Sequence, residues 1–295
     1  MIRRHHTFAD AGALALAASI LLAGLLSPVA AQAGPVAAAP VSAVQAEKGK
    51  SPVVDYVALG DSYAAGVGAG FNEDDACRQS SLSYPELLDL VKHVKLITDA
   101  SCSGATTADV LGQLSSLKPN KDVDLVTVTV GANDLGGAGV VAACSVAFTS
   151  PECQNALNAA IALMTPPSAG VPSELGVRLA TTFAAVAAAA PDATILVTGY
   201  ALLFETPPTT DPNYAAIATI NAATAALNAT IEGAVLQVAS TGVDIRYVDV
   251  ADDFAGHGIG SVDPWFHASG PDAFHPTAEG HAEYAEVIGA LADLG

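Results

Sequence analysis

"VVDYVALGDSYAAG", Val53 to Gly66, joins two different kinds of sequence. Val53 to Leu59 is nearly all apolar, which is what a strand buried on both faces of a sheet requires. Gly60-Asp61-Ser62 then breaks the run, and small residues follow. A turn accounts for the break. So does a serine held at the end of a strand, where its hydroxyl stands clear of the core as a nucleophile. The triplet alone does not separate the two readings, so the rest of the chain must.

Runs of the same kind recur at Val94 to Thr98, Leu125 to Val130, Thr194 to Thr198 and Ile245 to Val250. Helical patterns lie between them, at Tyr84 to Val91, Ala108 to Leu117, Glu174 to Ala189 and Tyr214 to Ala239. Ala278 to Leu294 closes the chain, with Thr277 placed as its N-cap. Strands alternating with helices predict an α/β fold, a parallel sheet covered on both faces. No internal repeat is present. Pro207 to Pro212 and Gly256 to Pro271 are the long loops, and the second is longer than a connector needs to be.

In sheets of this type ligands sit beyond the carboxyl ends of the strands. Four segments share that rim: the Gly60-Asp61-Ser62 turn, Ser101-Cys102-Ser103-Gly104, Gly131-Ala132-Asn133-Asp134, and Asp272-Ala273-Phe274-His275-Pro276 before the last helix. Ester hydrolysis by a serine needs a nucleophile with a base, a group that orients the base, and donors for the developing oxyanion. Ser62 is the candidate nucleophile and His275 the candidate base. Asp272, three residues before His275, can curl back to a ring nitrogen. Gly104 can offer a backbone N–H with no side chain in the way, and Asn133 a side-chain amide. Each residue type has a distinct job.

Together these blocks resemble the GDSL or SGNH hydrolase family, named for its Ser, Gly, Asn and His blocks. They stand here as Gly60-Asp61-Ser62-Tyr63, Gly104 in "SCSGAT", Asn133 in "GANDL", and Asp272 with His275 in "DAFHP". The resemblance implies a flavodoxin-like three-layer α/β/α sandwich with a five-stranded parallel sheet in the order 2-1-3-4-5. It also implies a Ser62-His275-Asp272 triad, and an oxyanion hole made of the N–H groups of Ser62 and Gly104 with the amide of Asn133. Some members of the family use a backbone carbonyl in place of the acid.

The cysteines are Cys77, Cys102, Cys144 and Cys153, which allow three pairings. The local pairing, Cys77 with Cys102 and Cys144 with Cys153, is expected, and no C-x-x-C spacing supports metal ligation. "ACRQSSLSYPELL" with "SCSGAT" is similar to a secreted, disulfide-bonded bacterial lipase and esterase subgroup, in which a bridge ties these two segments. Members often carry a third bridge. Here Gly260 stands where its cysteine would be expected, which predicts a looser late loop.

Met1-Ile-Arg-Arg, the apolar stretch Ala11 to Leu26 and Ala31-Gln32-Ala33 have the parts of a secretory signal peptide. A membrane anchor is the rival, but the stretch is short and Ser27-Pro28 follows it instead of a basic flank. Residues 1–33 are thus expected to be removed, residues 34–51 to form a disordered leader, and residues 52–295 to be the catalytic domain. The expected location is extracellular, with no stable membrane insertion after cleavage. The formal net charge of −19 repels phosphate backbones and excludes nucleic acid as a partner.

Several residues have a bland reading beside a functional one. His281 reads as a surface or packing residue, with a His275-His281-Asp272 metal cluster as the weaker alternative. His257 and His267 lie in the late loop, where solvent exposure is expected over a place at the pocket. Asn228-Ala229-Thr230 matches a glycosylation sequon but falls on a helix. Phe254, Trp265 and Phe266 either line an acyl pocket or anchor the loop.

The reading that follows is a secreted serine ester hydrolase acting on ester or lipid substrates as a monomer and without a cofactor or metal. No G-x-S-x-G elbow is present, which argues against the ordinary α/β-hydrolase version of this chemistry. A polysaccharide or small-molecule deacetylase on the same fold predicts a polar, shallow cleft instead. A non-catalytic secreted binding protein would leave the rim residues only structural.

Overall fold

Gly60 ends the first strand in a conformation and a space that only glycine fits. Its φ is +132°, and a Cβ would lie 2.3 Å from the carbonyl oxygen of Thr129 on the neighbouring strand. The chain therefore turns at that residue and delivers Asp61 and Ser62 to the sheet rim. A computed structural model describes residues 53–70, 76–117, 122–146 and 148–292. The expected signal peptide, 1–33, and leader, 34–51, lie outside the described residues.

Five strands form one parallel sheet: β1 (Val54–Gly60), β2 (Val94–Asp99), β3 (Leu125–Thr129), β4 (Thr194–Thr198) and β5 (Ile245–Val248), in the order β2-β1-β3-β4-β5. β1 pairs with both β2 and β3, so the direction of winding reverses between β1 and β3. That reversal opens a crevice at the carboxyl ends of those two strands. β3 is buried along its whole length, which requires both of its faces to be covered. Helices α2 (Tyr84–Asp89) and α8 (Ala278–Leu291) pack together on one face, and α3 (Thr107–Gln113), α6 (Glu174–Ala189) and α7 (Tyr214–Ala239) pack in a row on the other. Threonines inside the sheet are satisfied in pairs: Tyr56 with Thr127, Tyr84 with Thr129, and Thr129 with Thr198.

The bounds of β4, α6 and α7 coincide with those read from the sequence. Thr277 caps α8, its hydroxyl accepting from the N–H of Gly280. α3 is shorter than its pattern because its last turn tightens to a 3₁₀ turn at Leu114–Ser116. β5 stops at Val248, two residues short. α1 (Ser62–Ala65) is a single turn.

Two helices, α4 (Gly137–Val146) and α5 (Pro151–Met164), have no counterpart in the sequence reading. α4 opens on Gly-Ala-Gly and has no polar face, so it offers no 3.6-residue period to recognise. Cys144 pairs with Cys153, closing α4 and α5 into a hairpin, and Cys77 pairs with Cys102. The hairpin has its own small apolar cluster of Cys144, Cys153 and Leu157, against which Val140, Ala143 and Phe148 pack.

Candidate active site

Asp61 is the N-cap of α1, its Oδ1 accepting from the N–H of Tyr63 at 3.0 Å. Ser62 follows it at the rim. The side chain of Ser62 meets His275, whose Nε2 lies 2.8 Å from Ser62 Oγ although the two are far apart in sequence. The other ring nitrogen, Nδ1, lies 3.1 Å from the carbonyl oxygen of Ala273. A carbonyl only accepts, so Nδ1 carries the proton and Nε2 is left to accept from the serine hydroxyl. Burial holds the His275 pKa below its ordinary value of 6.5, and the positive charge of Arg78 acts in the same direction. The ring is therefore neutral at neutral pH.

The turn that carries His275 is held from three sides. The His275 N–H donates to the Asp272 carbonyl at 3.1 Å. Phe274 adopts a φ of 68°, and its carbonyl accepts the Tyr63 hydroxyl at 2.8 Å. The carboxylate of Asp272 pairs with the guanidinium of Arg78. This differs from the expectation that Asp272 would accept the hydrogen bond from Nδ1. The tight turn brings the Ala273 carbonyl to the ring, and the Asp272 carboxylate is paired with Arg78 instead.

Gly104 has a φ of +84°, and a Cβ there would meet nothing within 4 Å. No side chain at this position stands between the backbone and the cavity that it borders. The loop around it is fixed by the Cys77–Cys102 bridge and by the Ser103 N–H donating to the Cys77 carbonyl at 2.9 Å. Asn133 opens a 3₁₀ turn after β3, and its amide donates to the Ala105 carbonyl at 3.0 Å. An amide nitrogen has two hydrogens, so one remains for a ligand. Asp134 next to it accepts from the N–H and hydroxyl of Thr107, tying this turn to the start of α3.

Ser62, Gly104, Asn133 and His275 all border one cavity of about 360 Å³. Its walls are mostly apolar. The α4–α5 hairpin supplies Val140, Val141, Leu157 and Met164, and α7 supplies Ile220 and Leu227.

The remaining candidates fall elsewhere. His281 is fully buried, with Nε2 3.3 Å from the Val67 carbonyl, and burial lowers its pKa to about 4. It is a packing residue. His257 and His267 are half-buried and not free in solvent: His257 stacks on Trp265 at 3.5 Å, and His267 bonds the Gly68 carbonyl at 2.9 Å. Phe254 and Phe266 are buried under the late loop, with Phe254 edge-on to Tyr284 and Trp265, so these aromatics anchor the loop. Asn228 is buried and bonds both backbone groups of Tyr200. Sequence reasoning missed Arg78 and the hairpin wall, and it allowed for a backbone carbonyl at the ring without naming Ala273 as its source. None of these has a motif, because each is selected by position and not by residue type.

Residues 58–283 match the GDSL-like lipase/acylhydrolase family. The chain belongs to that family. It is a carboxylic ester hydrolase by that membership, and the five-stranded parallel fold is the family's. A lipase of Streptomyces rimosus is 32% identical over 273 residues, covering 90% of this chain and 94% of the relative. The crystal structure of the extracellular lipase from Streptomyces rimosus has a TM-score of 0.70 at 31% identity, covering 80% of this chain and 99% of that one. That of phospholipase A1 from Streptomyces albidoflavus has a TM-score of 0.69 at 32% identity, covering 81% and 99%.

Proposed function

We propose that the protein is a secreted lipase or esterase that cleaves medium- and long-chain acyl esters with Ser62 as nucleophile. The observation that carries this reading is the 2.8 Å contact between Ser62 Oγ and His275 Nε2 at the edge of an apolar cavity. Ser62 Oγ attacks the acyl carbon while Nε2 of His275 takes its proton. The oxyanion is met by the N–H groups of Ser62 and Gly104 and by the free hydrogen of the Asn133 amide. Collapse of the tetrahedral intermediate breaks the ester C–O bond, and Nε2 returns the proton to the leaving alcohol. Water then attacks the acyl-enzyme by the same proton route and frees the acid.

In this reading the Ala273 carbonyl orients the imidazole and Asp272 acts at one remove. Its charge favours the imidazolium that forms in the transition state, and its pairing with Arg78 braces the turn. The acyl chain lies between the α4–α5 hairpin and α7. A cavity with such walls speaks against the polar, shallow cleft of a carbohydrate deacetylase. Export by a signal peptide at residues 1–33 fits the extracellular lipase among the relatives.

The test is turnover of nitrophenyl esters from acetyl to palmitoyl by the chain from residue 34 onward, with Ser62→Ala as control. kcat/KM should rise from acetyl into the medium-chain range, and Ser62→Ala should be inert. A preference for acetyl with no turnover of octanoyl and longer esters would reverse the substrate assignment.

A further inference from the structure

Asp61 lies beside the nucleophile and is only 1% exposed. Its carboxylate accepts from the N–H of Tyr63 at 3.0 Å and from the hydroxyl of Tyr200 at 2.5 Å. Neither is a cation. Burial raises its pKa to about 7 even though both bonds pull the other way. A carboxylate kept in such surroundings costs stability, and a serine or asparagine would cap α1 as well. Helix capping alone does not account for an acid at this position.

Tyr200 sits just beyond β4 and is held in place from both ends. Its backbone N–H and carbonyl are bonded by the Asn228 side chain of α7 at 2.9 and 2.8 Å. Its ring packs edge-on against Tyr63 at 5.1 Å. The hydroxyl donates to Asp61, and its oxygen accepts the N–H of Ala132 at 3.3 Å. Ala132 immediately precedes Asn133, whose amide reaches the Ala105 carbonyl beside Gly104. One bonded path thus runs from the turn of Ser62 through Tyr200 to the turn of Asn133 and on to the loop of Gly104.

The geometry points to Asp61 and Tyr200 as positioning residues for ester hydrolysis: the carboxylate caps the turn that carries Ser62 and, through the Tyr200 hydroxyl, holds the turn that carries Asn133 at a fixed spacing from it. This rests on the roles proposed above for Ser62 and Asn133. Donors to an oxyanion help only when fixed before the reaction, and a displacement of about 1 Å can cost about 10² in rate. A rigid link between nucleophile and donor supplies that fixity.

Tyr200→Phe keeps the ring and removes the hydroxyl. With a soluble short-chain ester, its kcat should fall about tenfold to hundredfold while KM changes less than about threefold. In an Asn133→Ala background the same substitution should change kcat less than about threefold, because the donor it positions is already gone. A hydroxyl that only stabilises the fold would lower Tm and leave kcat within about twofold of wild type. That result, or the same loss in both backgrounds, overturns the proposal. If Tyr200→Phe does not fold, Asp61→Asn is read by the same two comparisons. A Ser62→Ala enzyme that still turns over removes the underlying reading instead, so the two failures are distinguishable.

Discussion

Asp272 gives its carboxylate to Arg78, while the imidazole it was expected to orient bonds the carbonyl of the next residue, Ala273. Orientation of the base and charge beside it are thus divided between two groups. The Ala273 carbonyl is backbone and survives any side-chain change at residue 272.

Asp272→Ala should therefore remain active. Losing the carboxylate of a triad can cost up to about 10⁴ in kcat. Here the expected loss is about tenfold to hundredfold, well short of that seen in Ser62→Ala or His275→Ala. The acid limb should also move to lower pH, because Asp272 raises the His275 pKa and Arg78 lowers it. Rank order of kcat among the three folded variants, with a pH profile for the first, checks both parts. An Asp272→Ala enzyme as inert as Ser62→Ala would show that the carbonyl does not suffice.

The wild-type pH profile follows from the same group. His275 must be neutral to accept the serine proton, and its folded pKa is held below 6.5 by burial. kcat/KM should reach half of its plateau below pH 6.5 and fall as the pH drops through the lowered value. A midpoint above 6.5 would mean that the ring is not desolvated as described.

Asn133→Ala should lower kcat by about 10²–10³ with a small effect on KM, as expected for a donor used in the transition state. A change confined to KM would make Asn133 a substrate-binding residue.

The Cys144–Cys153 bridge should matter more for long chains than for short ones. It closes a hairpin that forms one wall of the cavity, while Ser62, His275 and Gly104 lie on other segments. The Cys144→Ser/Cys153→Ser pair should cost about 2–3 kcal/mol of stability and depress palmitoyl turnover more than acetyl turnover. Chemical denaturation and the nitrophenyl series measure the two effects. Equal loss across the series would separate the hairpin from acyl binding.

The strands were legible because each is buried on both faces and reads as an unbroken apolar run, and α6 and α7 because their lengths are uninterrupted. Ser62, Gly104 and Asn133 stood out because each chemistry demands a particular residue type just after a strand, and His275 because it lies in the segment before the last helix. α4 escaped notice because glycines open it and it has no polar face to set a period. That a backbone carbonyl could face His275 was foreseen from the family resemblance, but not that residue 273 supplies it. Any residue at 273 supplies a carbonyl, so only the turn geometry, with Phe274 at a φ of 68°, brings it to the ring. Tyr200 and Arg78 act through partners distant in the chain, which no local pattern records.

The central claim is that Ser62 is the nucleophile and His275 its base, and fluorophosphonate labelling tests it most directly. Peptide mapping after labelling should place a single stoichiometric adduct on Ser62. Labelling of His275→Ala should be at least about a hundredfold slower, since the serine then has no base. An adduct on another serine, or an unlabelled Ser62 in a preparation that still hydrolyses esters, would contradict the account.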